Sequence, residues 1–243
     1  MKYYFNKRTY RSWVEDKDLL SFRVKLGESD LFIRAARPLY SEARQCLRCQ
    51  RRLIQDYIRK NPEFGTSLAP YSIKDRAPDI VREMAKACSC AGVGPMAAVA
   101  GAVAEYVGKD LLRYSSEVIV ENGGDIFMRT NRIRKVGIFA GKSAYTAKLA
   151  LEIAPEGILG ICTSSATVGP SLSFGKADAA VVISNSAILA DAWATRLGNM
   201  VKTADDIEKT LNFVKDKPEI KGTVIIVGDK IGVWGEVKLV ASI

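Results

Sequence analysis

The chain has 243 residues, 48% of them hydrophobic, enough to bury a full core without a disulfide or metal staple. Its 36 Lys and Arg against 27 Asp and Glu leave a formal charge of +9, so its field favours anions of any kind. Histidine is absent, which excludes Ser-His-Asp triads, His-ligated metals and imidazole proton shuttles.

In chain order, strand patterns fall at Thr9–Val14, Leu20–Leu26 and Leu31–Ala35, separated by turn-forming Glu-Asp-Lys-Asp and Gly-Glu-Ser-Asp. From Pro38, apolar positions recur at helical spacing through Leu47, Ile54, Tyr57 and Ile58 until Asn61-Pro62 ends them. A loop over Glu63–Arg76 leads to a second helix from Ala77-Pro78 to about Cys90. Ala91–Val107 is almost entirely Gly, Ala, Val and Met and reads as a buried helix starting near Pro95, able to approach another backbone closely. Strands follow at Glu117–Glu121, Asp125–Thr130, Lys135–Phe139, Lys148–Ile153, Gly157–Cys162 and Ala177–Ser184. Helices at Ser186–Met200 and Ala204–Lys215 precede closing strands Gly222–Val227, Lys230–Trp234 and Val237–Val240. Short turns between strands predict an α+β domain over 1–243, mostly antiparallel, with helices gathered on one face.

No apolar run approaches the roughly 18 residues that cross a bilayer, and Met1–Arg11 alternates aromatic and basic residues without a signal core, so cytoplasmic residence is expected. The basic residues are scattered pairs without aromatic platforms, which argues against nucleic acid and leaves an anionic small molecule or a solvated surface. Cys46, Cys49, Cys88, Cys90 and Cys162 are odd in number, so structural disulfides are not expected. Cys46 and Cys49 form a C-x-x-C inside a helical pattern; ordinary helix cysteines are one reading, a thiol- or sulfur-handling factor the other.

Three segments could carry chemistry. In Glu121–Phe127 (ENGGDIF), Gly123 and Gly124 remove side-chain bulk between two acids, which admits a ligand to the backbone; a plain Asn122-Gly123 hairpin turn satisfies the same pattern. Ile161–Ala179 sets Thr163, Ser164, Ser165, Thr167 and Ser171 in one polar loop, either lining an anion or simply solvated. In Ile188–Asn199, Asp191 and Thr195 stand four apart on one helix face, two hard oxygens that suit magnesium bridged to substrate phosphates.

In this order the segments resemble the ApbE-like superfamily, whose best-known members are magnesium-dependent FAD:protein FMN transferases. Gly123–Asp125 is similar to its G-G-D turn, Cys162–Ser165 to its A-T-S-G segment and Ala190–Thr195 to its A-D-A-x-A-T. Gly92–Glu105, ENGGD and Ser171–Ala179 together resemble a shorter branch, protein family 0280, common in archaea and some anaerobic bacteria. The resemblance implies a T-fold-like architecture of two related, mostly antiparallel β-sheet units with helices on one side. It further implies that Asp191 and Thr195 ligand magnesium and act in catalysis. Asn122, Gly123, Gly124 and Asp125 would lie against FAD or another flavin nucleotide, and Thr163, Ser164 and Ser165 would face its phosphates. Lys176 and Asp178 stand where the transferases carry H-I-I-D-P-x-T-G, and GVGPMAAVAG lacks the lysine of their G-x-x-K-G. A protein acceptor is implied for the transfer. A non-catalytic binding protein that kept the fold is the alternative, its Gly/Ala segment then serving a homo-oligomer.

Overall fold

The computed structural model describes residues 18–73, 76–155, 157–167 and 173–242. The expected strand at Thr9–Val14 lies outside them. The chain opens with a hairpin of β1 (Leu20–Leu26) and β2 (Ser29–Ala35), closed at Gly27 with φ 56°. Four helices follow: α1 (Tyr40–Lys60), α2 (Pro62–Thr66), α3 (Asp79–Ala91) and α4 (Val99–Leu111), the last entered through a 3-10 turn at Pro95–Ala98. The loop expected over Glu63–Arg76 thus begins as a helical turn, because Pro62 supplies a preset first residue there. β3 (Val118–Asn122) pairs with β2 on one side and with β4 (Asp125–Arg129) on the other.

The second half repeats the plan. β7 (Ile158–Ser164) and β8 (Ala179–Ser184) precede α5 (Ala187–Met200) and α6 (Asp206–Val214), then β9 (Gly222–Val227) and β10 (Lys230–Gly235). Each half is therefore two strands, helices, two strands, and the β4–β7 pairing joins them into one eight-stranded antiparallel sheet in the order β1-β2-β3-β4-β7-β8-β9-β10. This is the α+β, duplicated architecture that the sequence implied, with the helices on one face.

The opposite face is not open. β5 (Arg134–Gly137), β6 (Leu149–Ile153) and β11 (Leu239–Ala241) form a separate three-stranded sheet laid across it. Val136, Leu151 and Ile153 from that sheet pack on Ile119, Met128, Ile161, Val181 and Val224. Their strand neighbours Val120, Phe127, Cys162, Val182 and Ile225 point the other way, into the helical core. Covering both faces explains why β3 and β8 are buried along their whole length and read as continuous apolar runs.

Among the described residues no single helix is long and apolar enough to cross a membrane; α3 and the Pro95–Leu111 segment form a bent apolar pair. The small residues of that segment are used inside the chain. A Cβ at Gly101 would lie 2.2 Å from the Ala187 carbonyl oxygen, and one at Gly108 would meet the Phe127 ring at 2.1 Å, so α4 touches both α5 and the sheet at backbone distance.

The α4–α5 contact is sealed by exchanged carboxylates. Buried Glu105 on α4 accepts from Ser186 Oγ at 2.8 Å and from the Ile188 N–H at 3.1 Å, capping the start of α5. Asp191 on α5 accepts from the Gly101 N–H at 2.8 Å, capping the start of α4. Neither helix end is then left with orphan donors in the core. Replacing Glu105 by Ala should lower stability to urea by roughly 2–3 kcal/mol, the worth of hydrogen bonds to a buried charge. Its half-exposed partner Lys109 should cost under about 0.5 kcal/mol when truncated. Gly101→Ala should lower the melting temperature further still, by prising α4 from α5.

Candidate functional site

The turn between β3 and β4 is the two residues Gly123 and Gly124, with φ 72° and 112°, flanked by the paired Asn122 and Asp125. Successive positive φ values match the primed turn that suits a twisted hairpin and are cheap only for glycine. A Cβ on either would meet nothing within 4 Å, so this corner has open space above its backbone. Asn122 donates from Nδ2 to the Ala100 carbonyl oxygen at 3.1 Å, which ties the turn to the first residues of α4.

Asp125 and Asp191 meet at this corner, both buried. Burial drives the Asp191 carboxyl well above the usual range, the Asp125 charge adds to the rise, and the Gly101 and Ala100 amides oppose it. Asp125 is pushed up to about 7, first by burial, with Glu121 adding, against the Cys162 thiol and the Thr163 main chain. One Asp125 oxygen, Oδ1, is buried without a hydrogen-bond partner. Two like charges in a low-dielectric setting with an orphaned oxygen call for a proton or a cation between them.

The remaining residues that the sequence singled out are placed as follows. Thr195 lies one turn beyond Asp191 on α5, half-buried. Ser164, at the end of β7, packs under the same helix, its Oγ 3.0 Å from where a Cβ on Gly198 would stand. Thr163 pairs with Val181 and shares its face, towards the second sheet, because strand side chains alternate. Only its main chain reaches Asp125. Ser165 bonds Thr167, and Thr167 donates to Asp178 at 3.1 Å. Asp178 also accepts from the Gly228 N–H at 2.8 Å, anchoring this loop to the β9–β10 turn. Lys176 has an exposed side chain and a main-chain bond to Val201. The structure thus gathers Asn122, Gly123, Gly124, Asp125 and Asp191 at one corner, sets Thr195 and Ser164 further along α5 towards Gly198, and ties Ser165 and Asp178 into a separate loop.

Glu105 and the amides of Ala100 and Gly101 were not singled out from sequence. The signal was present: Glu105 is the only charge in Ala91–Val107, and a lone charge in an apolar helix must find a buried partner. Cys46, Cys88, Cys90 and Cys162 gain no reactivity here. Burial pushes Cys46 up to about 12 and holds Cys88 and Cys162 well above the ordinary thiol range, while Glu219 raises Cys90. Thiolate chemistry needs the opposite shift.

Eight antiparallel strands in two ββ-helix-ββ halves make a duplicated α+β fold. Solved structures share it. The flavinyl transferase ApbE of Pseudomonas stutzeri, in its apo form, matches at TM-score 0.59 and 14% identity over 89% of this chain and 93% of that one. The ApbE protein of Thermotoga maritima matches at TM-score 0.57 and 10% identity over 90% and 97%. Identity this low speaks for the fold alone. Residues 11–218 match the family model described as AbpE bacteria. A UPF0280 protein of Methanosarcina barkeri is 44% identical over 201 residues, 82% of this chain and 79% of that protein. The UPF0280 protein of Methanocaldococcus jannaschii is 40% identical over 194 residues, 78% and 79%. The chain belongs to this family, the UPF0280 branch of the ApbE-like superfamily.

The acid pair sets a pH dependence. Asp125 keeps its proton in the folded protein up to about pH 7 but loses it near 4 when unfolded. Across that window the native state binds more protons, so stability of the metal-free protein should fall as pH rises above about 4, and the raised Asp191 carries the fall further. Asp125→Asn should flatten this slope, as measured by urea midpoints at stepped pH.

Proposed function

We propose that this protein binds a flavin nucleotide, FAD, with magnesium at the Asp125–Asp191 corner. It then passes the FMN half to a hydroxyl on a protein acceptor in the cytoplasm. The observation that carries the reading is the facing pair of buried carboxylates, one oxygen orphaned, beside an open glycine turn. Family membership and the transferase fold add to it.

The donors suit a hard cation. Asp191, Asp125 and Thr195 offer oxygen only, and among the described residues no three acidic or thiol side chains form a complete cage. Magnesium favours that arrangement, since it takes one or two carboxylates and completes its shell with water and substrate phosphates. When bound, it would neutralise the diphosphate and the charge developing on the leaving phosphate.

The protein's own groups cover the rest. Asp191 is held in place by the α4 amides, so the metal-side carboxylate is preorganised. Transfer requires the acceptor oxygen to bond the FMN phosphorus while the bond to AMP breaks, and the hydroxyl proton must leave. The chain has no histidine, and Asp125, the carboxylate of the pair that the α4 amides do not hold, takes that proton, its affinity for it raised by burial. The open space above Gly123 and Gly124 lets the nucleotide reach the backbone.

With magnesium, the purified protein should bind FAD, visible as a flavin spectrum retained through gel filtration, and release AMP from it. Asp191→Asn should lower AMP release by about 100-fold, the scale of metal-borne charge stabilisation. Asp125→Asn should bind FAD but lose most AMP release, together with the limb of the pH–rate profile that the carboxylate supplies. Absence of any nucleotide binding by wild type at high micromolar concentration would remove the reading.

A further inference from the structure

A second site lies away from the acid pair. The β1–β2 turn and one face of α1 border an open, shallow cavity of about 290 Å³ lined by Leu26, Gly27, Arg48, Arg51, Arg52 and Gln55. We propose that this cavity is an anion site that takes the phosphate end of a small phosphorylated molecule.

Arg51 is prearranged for that task. Its Nη1 donates to Ser29 Oγ at 2.8 Å and its Nη2 pairs with the Glu28 carboxylate, leaving the side chain only 15% exposed. The guanidinium lies against the turn because residue 27 is glycine; a Cβ there would stand 2.5 Å from Arg51 Nη2. Arg48 and Arg52 flank it from the adjoining turns of α1, and Gln55 adds an amide. Arg48 and Arg52 present planar forks that match phosphate oxygens two at a time, while Arg51, its charge met by Glu28, fixes the wall between them.

Charge at the cavity is under-compensated. Arg52 reaches Asp56 only at 3.6 Å and shares it with Arg59. Arg44 and Arg48 have no acidic partner among the described residues. Arg44, Arg48 and Arg52 are therefore like charges at successive i, i+4 positions, an arrangement that weakens a helix unless an anion sits between them. The volume suits a small phosphorylated ligand.

This site is separate from the one proposed for FAD. The β1–β2 and β3–β4 turns share one end of the sheet, since Leu31 pairs with Asn122, yet they lie two strand spacings apart, about 10 Å. Its occupancy needs no metal.

Titration calorimetry with inorganic pyrophosphate and with phosphate, in the presence of EDTA, tests it. Wild type should bind saturably at about millimolar or tighter, and Arg48→Ala/Arg52→Ala should weaken binding at least about tenfold. Asp191→Ala should bind as wild type does. Both substituted arginines are exposed, and circular dichroism checks that the fold is retained. Three results would overturn the inference: no saturable binding, binding indifferent to the double substitution, or binding lost in Asp191→Ala. Preference for duplex oligonucleotide over pyrophosphate, abolished by moderate salt, would overturn it too, marking a nucleic-acid surface instead.

Discussion

The exchange of carboxylates between α4 and α5 is the constraint around which the molecule is organised. Glu105 leaves α4 to cap α5, and Asp191 leaves α5 to cap α4. The backbone contacts at Gly101 and Gly160, both against Ala187, bring the helices close enough to each other and to the sheet for those bonds to form. One consequence is positional: Asp191 cannot shift along or around its helix without stripping α4 of its cap.

The same exchange sets the electrostatics of the corner. The first amides of α4 carry the positive end of that helix's dipole, which partly offsets the cost of burying a carboxylate. That offset is incomplete, because Asp125 adds a second buried acid beside the first. Burying the pair therefore works against stability of the folded chain. The thiols around the pair, Cys88 and Cys162, are held protonated first by burial and then by the same acids.

Duplication supplies the platform. Each ββ-helix-ββ half builds four strands, and the junction of β4 with β7 brings the glycine turn of the first half beside the last residues of β7 in the second. Helix α5 then bridges the two, lying over β7 and β8 while packing on α4. The corner is a product of both halves, and neither would form it alone.

Much of this was legible in the residues. Periodicity located the strands and helices because hydrophobic spacing of two or near 3.6 is imposed by burial on one face. ENGGD and ADAWAT each have an ordinary structural reading and stood out only together, through their resemblance to the G-G-D and A-D-A-x-A-T segments of the ApbE-like superfamily. What only the tertiary structure decided was convergence and partnership. Strand alternation turned Thr163 away and left Ser164 facing the helix, and loop closure used Asp178 at the β9–β10 turn. Glu105 became a cap for a helix more than 80 residues distant. β5, β6 and β11, which read as further strands of the same kind, separated into a second sheet. The physical reason is that a sequence records which surfaces must be buried and which groups must be satisfied. Which distant segment meets those needs is settled only when the chain closes on itself.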